Sequence, residues 1–132
     1  MTNNELIEAA ERAREKAYCP YSGFAVGAAL LCEDGKVYTG CNIENSAFSP
    51  TVCAERVAFF SAVRDGERKF KSIAIVGGKA DEAPRELCPP CGVCRQVMSE
   101  FCGEDFEIIL GTHENIRVFT LKDILPLGFE LE

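Results

Sequence analysis

The sequence predicts an α/β fold: one domain with a mixed, five-stranded β-sheet and helices on both of its faces. Three observations carry this. A hairpin signal stands near the N-terminus, helix-like and strand-like segments alternate after it, and 132 residues suffice for one core but not two. Hydrophobic residues make up 47% of the chain and charged residues 27%, a balance that excludes disorder. No internal repeat, low-complexity tract or linker interrupts the pattern, so residues 1–132 are expected to form a single domain.

Each element has a local reason. Thr2-x-x-Glu5 has the form of a capping box, and Leu6, Ala10, Ala13 and Ala17 recur at helical spacing, so a first helix is expected to end near Tyr18, ahead of Pro20. Residues 25–32 are an apolar run bounded by Gly23 and Asp34-Gly35. Asp-Gly is a strong two-residue hairpin signal, so residues 36–40 should pair antiparallel with that run. Residues 53–64 read as a largely buried helix closed by Gly66. Residues 72–76 form a buried-type strand, and 91–101 a helix introduced by Pro89-Pro90 and closed by Gly103. Strands are expected at 106–110 and 116–119, and Thr120 with Asp123 can cap a short last helix to Leu125, stopped by Pro126.

Composition narrows the function. Lys and Arg number 14 against 21 Asp and Glu, and the net charge of −7 disfavours nucleic acid, whose binding rests on basic charge. No apolar run approaches the ~18–20 residues needed to span a bilayer. Residues 1–18 alternate charged and apolar positions and lack the core of an export signal, so a cytoplasmic protein with no membrane partner is expected. Eight cysteines stand against the single His113, which is expected to be a solvated turn residue. At about 6% of the chain they fall below the ~8–10% of a disulfide scaffold, which leaves metal binding, chemistry or plain packing.

Cys91-Gly92-Val93-Cys94 is a C-x-x-C pair at an expected helix N-terminus. By itself it fits zinc ligation, a redox pair or two core cysteines. Cys53-Ala54-Glu55 begins another helix, and a cysteine and a carboxylate two apart can converge on the same point. Alone, Glu55 reads as an acid favoured by the helix dipole in the first turn. Together these residues offer three thiolates, a fourth position open to water and a carboxylate beside it, which is the catalytic form of a zinc site. Zinc lowers the pKa of its water toward about 7, and a neighbouring Glu can shuttle the proton. The helix N-termini and Arg56 temper the negative charge of three thiolates.

Cys53-Ala54-Glu55-Arg56, followed by Pro90-Cys91-Gly92-Val93-Cys94-Arg95-Gln96, resembles the zinc-dependent cytidine deaminases of the small homotetrameric type with three cysteine ligands. Tyr21-Ser22-x-Phe24-x-Val26-Gly27-Ala28-Ala29-Leu30, Gly40-Cys41-Asn42-Ile43-Glu44-Asn45 and Leu125-Pro126-x-x-Phe129 extend the likeness over nearly the whole chain. The resemblance implies a three-layer sandwich and one Zn²⁺ per subunit, held by Cys53, Cys91 and Cys94. It implies deamination of cytidine and deoxycytidine to uridine and deoxyuridine for pyrimidine salvage. Hydroxide generated at the zinc would attack ring carbon 4 while Glu55 protonates nitrogen 3 and then the departing amine. By the same resemblance Asn42, Ile43 and Glu44 hold the ribose, and the Ala54 backbone bonds the base. Phe24 and, from a neighbouring subunit, Phe129 pack on the pyrimidine, and Arg56 with Gln96 supports the ligands. The partner is thus a small nucleoside, in a homotetramer with active sites shared between subunits.

Three positions depart from the family pattern. Phe48 stands where relatives often have Tyr near the subunit interface, Pro89 replaces the usual Ser, and residues 77–88 are several residues longer than in compact relatives. A surface excursion is the expected form of the longer segment. It ends in Cys88, creating Cys88-x-x-Cys91-x-x-Cys94, which leaves two rival readings. Cys88 could close the zinc site as a fourth ligand of a non-enzymatic interaction module. The triple could also hold an iron–sulfur cluster, although the next cysteine of that pattern falls at Met98. Cys19, Cys32, Cys41, Cys88 and Cys102 are otherwise expected to be reduced and apolar in use. An enzyme alternative on the same fold is a deaminase of a cytosine nucleoside antibiotic.

Overall fold

The computed structural model describes residues 1–112 and 114–131, so the expectation for His113 lies outside the described residues. In chain order the elements are α1 (Asn3–Arg14), β1 (Phe24–Cys32), β2 (Val37–Cys41), α2 (Ala54–Arg64), β3 (Phe70–Lys79), α3 (Gly92–Phe101), β4 (Glu107–Thr112), β5 (Asn115–Thr120) and α4 (Leu121–Ile124). The five strands form one sheet in the order β2-β1-β3-β4-β5. Only β3 and β4 run parallel, joined through α3, and the other neighbours are antiparallel, so the sheet is mixed as expected.

Residues facing alternate sides of the strands build two cores. Ala28, Leu30, Ile73, Ile75, Ile108 and Leu110 meet Ala58, Phe59, Ala62 of α2 and Met98 of α3 on one side. Ala29, Leu31, Ala74, Val76 and Ile109 meet Leu6, Ile7 and Ala10 of α1 on the other. Because both faces are covered, the central strands are continuous apolar runs and not alternating ones. Phe59 is completely buried and packs against Phe70 edge-on, with ring centroids 5.2 Å apart, which ties α2 to the sheet. Gly40 allows that approach: a Cβ there would lie 2.3 Å from Ala54 O and 2.7 Å from Ala58 N. The first turn of α2 therefore rests directly on β2, and the residues around Ala54 are fixed by backbone contact.

Both capping boxes form, Thr2 with Glu5 and Thr120 with Asp123. The first helix stops at Arg14, four residues short of the expected Tyr18. Lys16 and Ala17 make tighter three-residue bonds, and Tyr18 N then donates to Asn42 O at 2.9 Å, drawing the chain into a bridge with Ile43. Tertiary pairing thus overrides helical spacing. Strand β3 continues to Lys79, past the expected Val76, because β1 supplies ladder partners as far as Phe24–Lys79. The excursion consequently occupies residues 80–91.

Candidate metal and catalytic site

Cys53 and Cys91 are the N-caps of α2 and α3, with extended backbone (φ −78°, ψ 155° and φ −69°, ψ 169°) and no capping hydrogen bond from either side chain. Ser, Thr, Asp or Asn is preferred at that position because its oxygen satisfies a free amide of the first turn. Cysteine there leaves the helix end uncapped by its side chain and sends two thiols toward each other. Cys94, one turn into α3 and buried, joins them. The Sγ atoms of Cys53 and Cys91 are 3.7 Å apart, and those of Cys91 and Cys94 3.5 Å. Tetrahedral zinc with Zn–S bonds of about 2.3 Å sets its sulfurs about 3.8 Å apart, so the three thiols fit one zinc nearly as they stand.

Electrostatics prepares Cys53 for a cation. A hydrogen bond from the Cys94 thiol, helped by Arg56, holds Cys53 down to about 5, whereas Cys94, as the donor in that bond and a buried group, is raised. Arg56 Nη2 lies 3.4 Å from Cys53 Sγ. Two helix N-termini add their positive ends. Glu55 is 4% exposed, and burial, with the Cys53 charge adding to it, pushes its carboxyl up to about 7. A carboxyl with that value sits where proton transfer in both directions is accessible at neutral pH.

One other group of possible ligands occurs among the described residues, Cys32 with Asp34 and Glu67. It lies at the opposite end of β1 from Phe24, its two carboxyls hydrogen-bond each other, and Lys36 stands 3.8 Å from Glu67.

The remaining expected site residues divide. Asn42 continues the β1–β2 ladder with its side chain: Oδ1 accepts from Val26 N and Nδ2 donates to Phe24 O, both at 2.8 Å. Glu44 accepts from Tyr21 N at 2.9 Å, Ser22 N at 3.1 Å and Ser22 Oγ at 2.5 Å, and the Ser22 hydroxyl with these amides holds its carboxyl below the usual value. One Nδ2 hydrogen of Asn42 and lone pairs of Glu44 remain for a ligand. Ile43 is half-exposed between them, and Phe24 is 42% exposed. Gln96 reaches neither Arg56 nor a ligand sulfur through the hydrogen bond it makes: its Nε2 donates to Phe129 O at 3.3 Å on the outer side of α3. Phe129 accompanies it there, 67% exposed, on a face of α3 other than the one bearing Cys94.

Cys88 stays outside the group of three. Its sulfur packs over Gly77 and against the core, and burial, followed by the charges of Glu55 and Cys53, raises it to about 11. What separates it from the ligands is position: the sulfurs of Cys53, Cys91 and Cys94 lie within 4.8 Å of one another, and that of Cys88 is not among them. Cys88→Ser should therefore leave zinc content and turnover unchanged, measured by metal analysis and rate; loss of zinc would contradict a three-thiol site. All eight cysteines are free.

Sequence reasoning passed over Arg95 and Ser22. Arg95 donates to Pro90 O at 2.8 Å and to Ile124 O at 2.7 Å, which fixes the turn entering Cys91. Ser22 orients Glu44 and also accepts from Phe24 N. Both lie inside the motifs already quoted, but their roles need partners distant in sequence.

A mixed sheet with three thiols and a buried carboxyl at two helix N-termini defines a zinc-dependent deaminase. The family model described as "Cytidine and deoxycytidylate deaminase zinc-binding region" matches residues 1–110. The chain is 50% identical to the cytidine deaminase of Sporosarcina psychrophila, covering 100% of this chain and 94% of that one. It is 47% identical to the cytidine deaminase of Halalkalibacterium halodurans, covering 100% and 97%. The crystal structure of cytidine deaminase from Burkholderia pseudomallei superposes with a TM-score of 0.89 at 48% identity, over 98% of this chain and 100% of that one. The chain belongs to the cytidine and deoxycytidylate deaminase zinc-binding family.

Proposed function

We propose that this protein hydrolyses cytidine and deoxycytidine to uridine and deoxyuridine, releasing ammonia, as a step of pyrimidine salvage in the cytoplasm. The observation that carries the reading is Glu55, buried beside three thiols that fit one zinc. Zinc held by Cys53, Cys91 and Cys94 supplies a Lewis acid that makes water a competent nucleophile at neutral pH. Glu55 carries the proton, first to ring nitrogen 3 as carbon 4 is attacked, then to the amine as it leaves.

The other residues bind and orient. Phe24 offers a flat apolar face to the pyrimidine. Ala54 is the first residue of α2, so its N–H has no intrahelical acceptor and is free to bond the base. Asn42 and Glu44, flanking Ile43, keep one donor and one anionic acceptor for the ribose hydroxyls, and Arg56 steadies Cys53. Phe129 serves the site of a neighbouring subunit in a homotetramer, with Gln96 anchoring its backbone. Its exposure and that of Phe48, 67% and 88%, support a partner surface of that kind. Among the described residues no helix is long and apolar enough to cross a membrane.

A panel of cytidine, deoxycytidine, free cytosine and CMP, followed by ultraviolet absorbance with zinc-loaded protein, tests the substrate class. Both nucleosides should turn over. Cytosine lacks the sugar that Asn42 and Glu44 recognise, and CMP meets an acidic chain, so both should be poor. Absence of turnover on cytidine, or turnover confined to a cytosine nucleoside antibiotic, contradicts the assignment.

A further inference from the structure

Arg14, the last residue of α1, is used by neither the zinc site nor the substrate contacts, yet its guanidinium holds three carbonyls from two parts of the chain. Nε donates to Ala25 O at 3.0 Å, and Nη2 donates to Lys79 O at 2.5 Å and Glu82 O at 3.0 Å. Ala25 follows Phe24 directly, Lys79 is the last residue of β3, and Glu82 lies near the start of the excursion that returns to Cys91. Such charge-assisted bonds are about twice as strong as neutral ones, and a planar fork fixes direction as well as distance.

The excursion folds back over the end of β3 at two glycines. A Cβ at Gly78 would lie 3.3 Å from Pro84 Cα, and one at Gly77 would lie 2.5 Å from Cys88 Sγ and 3.2 Å from the Phe24 ring. Gly77, Cys88 and Phe24 thus meet at one point, and a cleft of about 360 Å³ lined by Phe24, Gly77, Glu82 and Leu87 opens there. Displacement of the excursion would release Cys88 from Gly77, the residue of β3 beside which the Phe24 ring also lies.

We propose that Arg14 is a positioning residue for substrate binding: it staples the excursion to α1 and β1 and so holds Phe24 in the orientation that receives the pyrimidine. The proposal rests on the reading of Phe24 as the ring facing the base. It separates binding from chemistry, because Arg14 touches neither the thiols nor Glu55 through these bonds. Arg14→Met removes the staple. Arg14→Lys keeps the charge but has one nitrogen in place of a fork and should restore function only in part.

The test compares zinc-loaded wild type with both variants by steady-state kinetics on cytidine, zinc analysis, thermal unfolding and hydrogen exchange. The amides to follow are those of Ala80, which donates to Gly23 O, and Glu82, which donates to Lys79 O. Loss of two to three charge-assisted bonds predicts exchange at these amides faster by about tenfold or more. KM should rise about tenfold, with kcat and zinc content little changed and Arg14→Lys intermediate. Unchanged KM in Arg14→Met overturns the proposal even if the melting temperature falls, as does a raised KM with unaltered exchange. Should Arg14→Met not fold, Gly78→Ala places a Cβ 3.3 Å from Pro84 Cα and 3.5 Å from Arg14 Nη2, crowding the staple by a few tenths of an ångström, and should raise KM and exchange in the same direction by less; unaltered values there also overturn it. Failure of the wild type to deaminate cytidine removes the reading of the site, whereas the exchange data still report on the staple.

Discussion

Replacement of Glu55 by Gln should lower kcat by about 10³-fold or more while zinc content stays that of wild type. General acid–base groups contribute about 10²–10⁴-fold, and here one carboxyl serves both proton transfers. Gln keeps the shape of the side chain and removes its ability to carry a proton. The thiols are untouched, so metal analysis separates loss of chemistry from loss of the site. Retained turnover would assign the proton transfers elsewhere.

The same variant has an opposite effect on stability. In the zinc-free protein burial raises Glu55 to about 7 from a usual 4.5, so the folded state holds its proton more tightly than the unfolded state. Below pH 4.5 both states are protonated and the carboxyl costs nothing through ionisation. Between 4.5 and 7 the unfolded state ionises first, so stability falls as pH rises, and above 7 the penalty is constant. At 1.36 kcal/mol per pKa unit it reaches about 3 kcal/mol. Urea unfolding of the zinc-free proteins should therefore show Glu55→Gln more stable than wild type at pH 8, and little different at pH 4. A variant less stable than wild type at pH 8 would contradict the burial argument.

Cys91→Ser carries the second large effect. Cys91 is exposed and caps α3 without a side-chain hydrogen bond, and Ser is a better cap, so the helix should not suffer. What is lost is one of three ligands. Removing a partner that merely supports a ligand costs about 10–100-fold in metal affinity, and removing the ligand should cost more. The variant should purify with little zinc and less than about 10⁻³ of wild-type turnover, with helical circular dichroism intact. Full zinc occupancy would mean that another group, Cys88 foremost, completes the site.

Why the three thiols could be read from the chain follows from where they lie. Cys53, Glu55, Cys91 and Cys94 sit in two short motifs at helix starts, and their spacing alone brings thiols and carboxyl to one end of each helix. The strands were legible because both cores need continuous apolar runs, and the turn at Asp34-Gly35 fixes the first pairing. What escaped were consequences of long-range pairing. Tyr18 leaves the helical pattern for Ile43, β3 is prolonged by β1, and Arg14 reaches residues 65 and 68 positions away. Gln96 stands one helical position from Arg95, yet it turns outward to Phe129 while Arg95 turns to Pro90 and Ile124. Motif membership did not fix which way each side chain points.

On the proposed function, three thiols of one chain hold one zinc and cytidine deamination depends on it. Zinc stripped with a chelator under reducing conditions and returned stepwise tests this most directly, with cytidine turnover followed at each addition. Turnover should be absent at the start, rise in proportion to zinc and level off at one equivalent per chain. Full turnover by the stripped protein, or a plateau that requires a second equivalent, would contradict it.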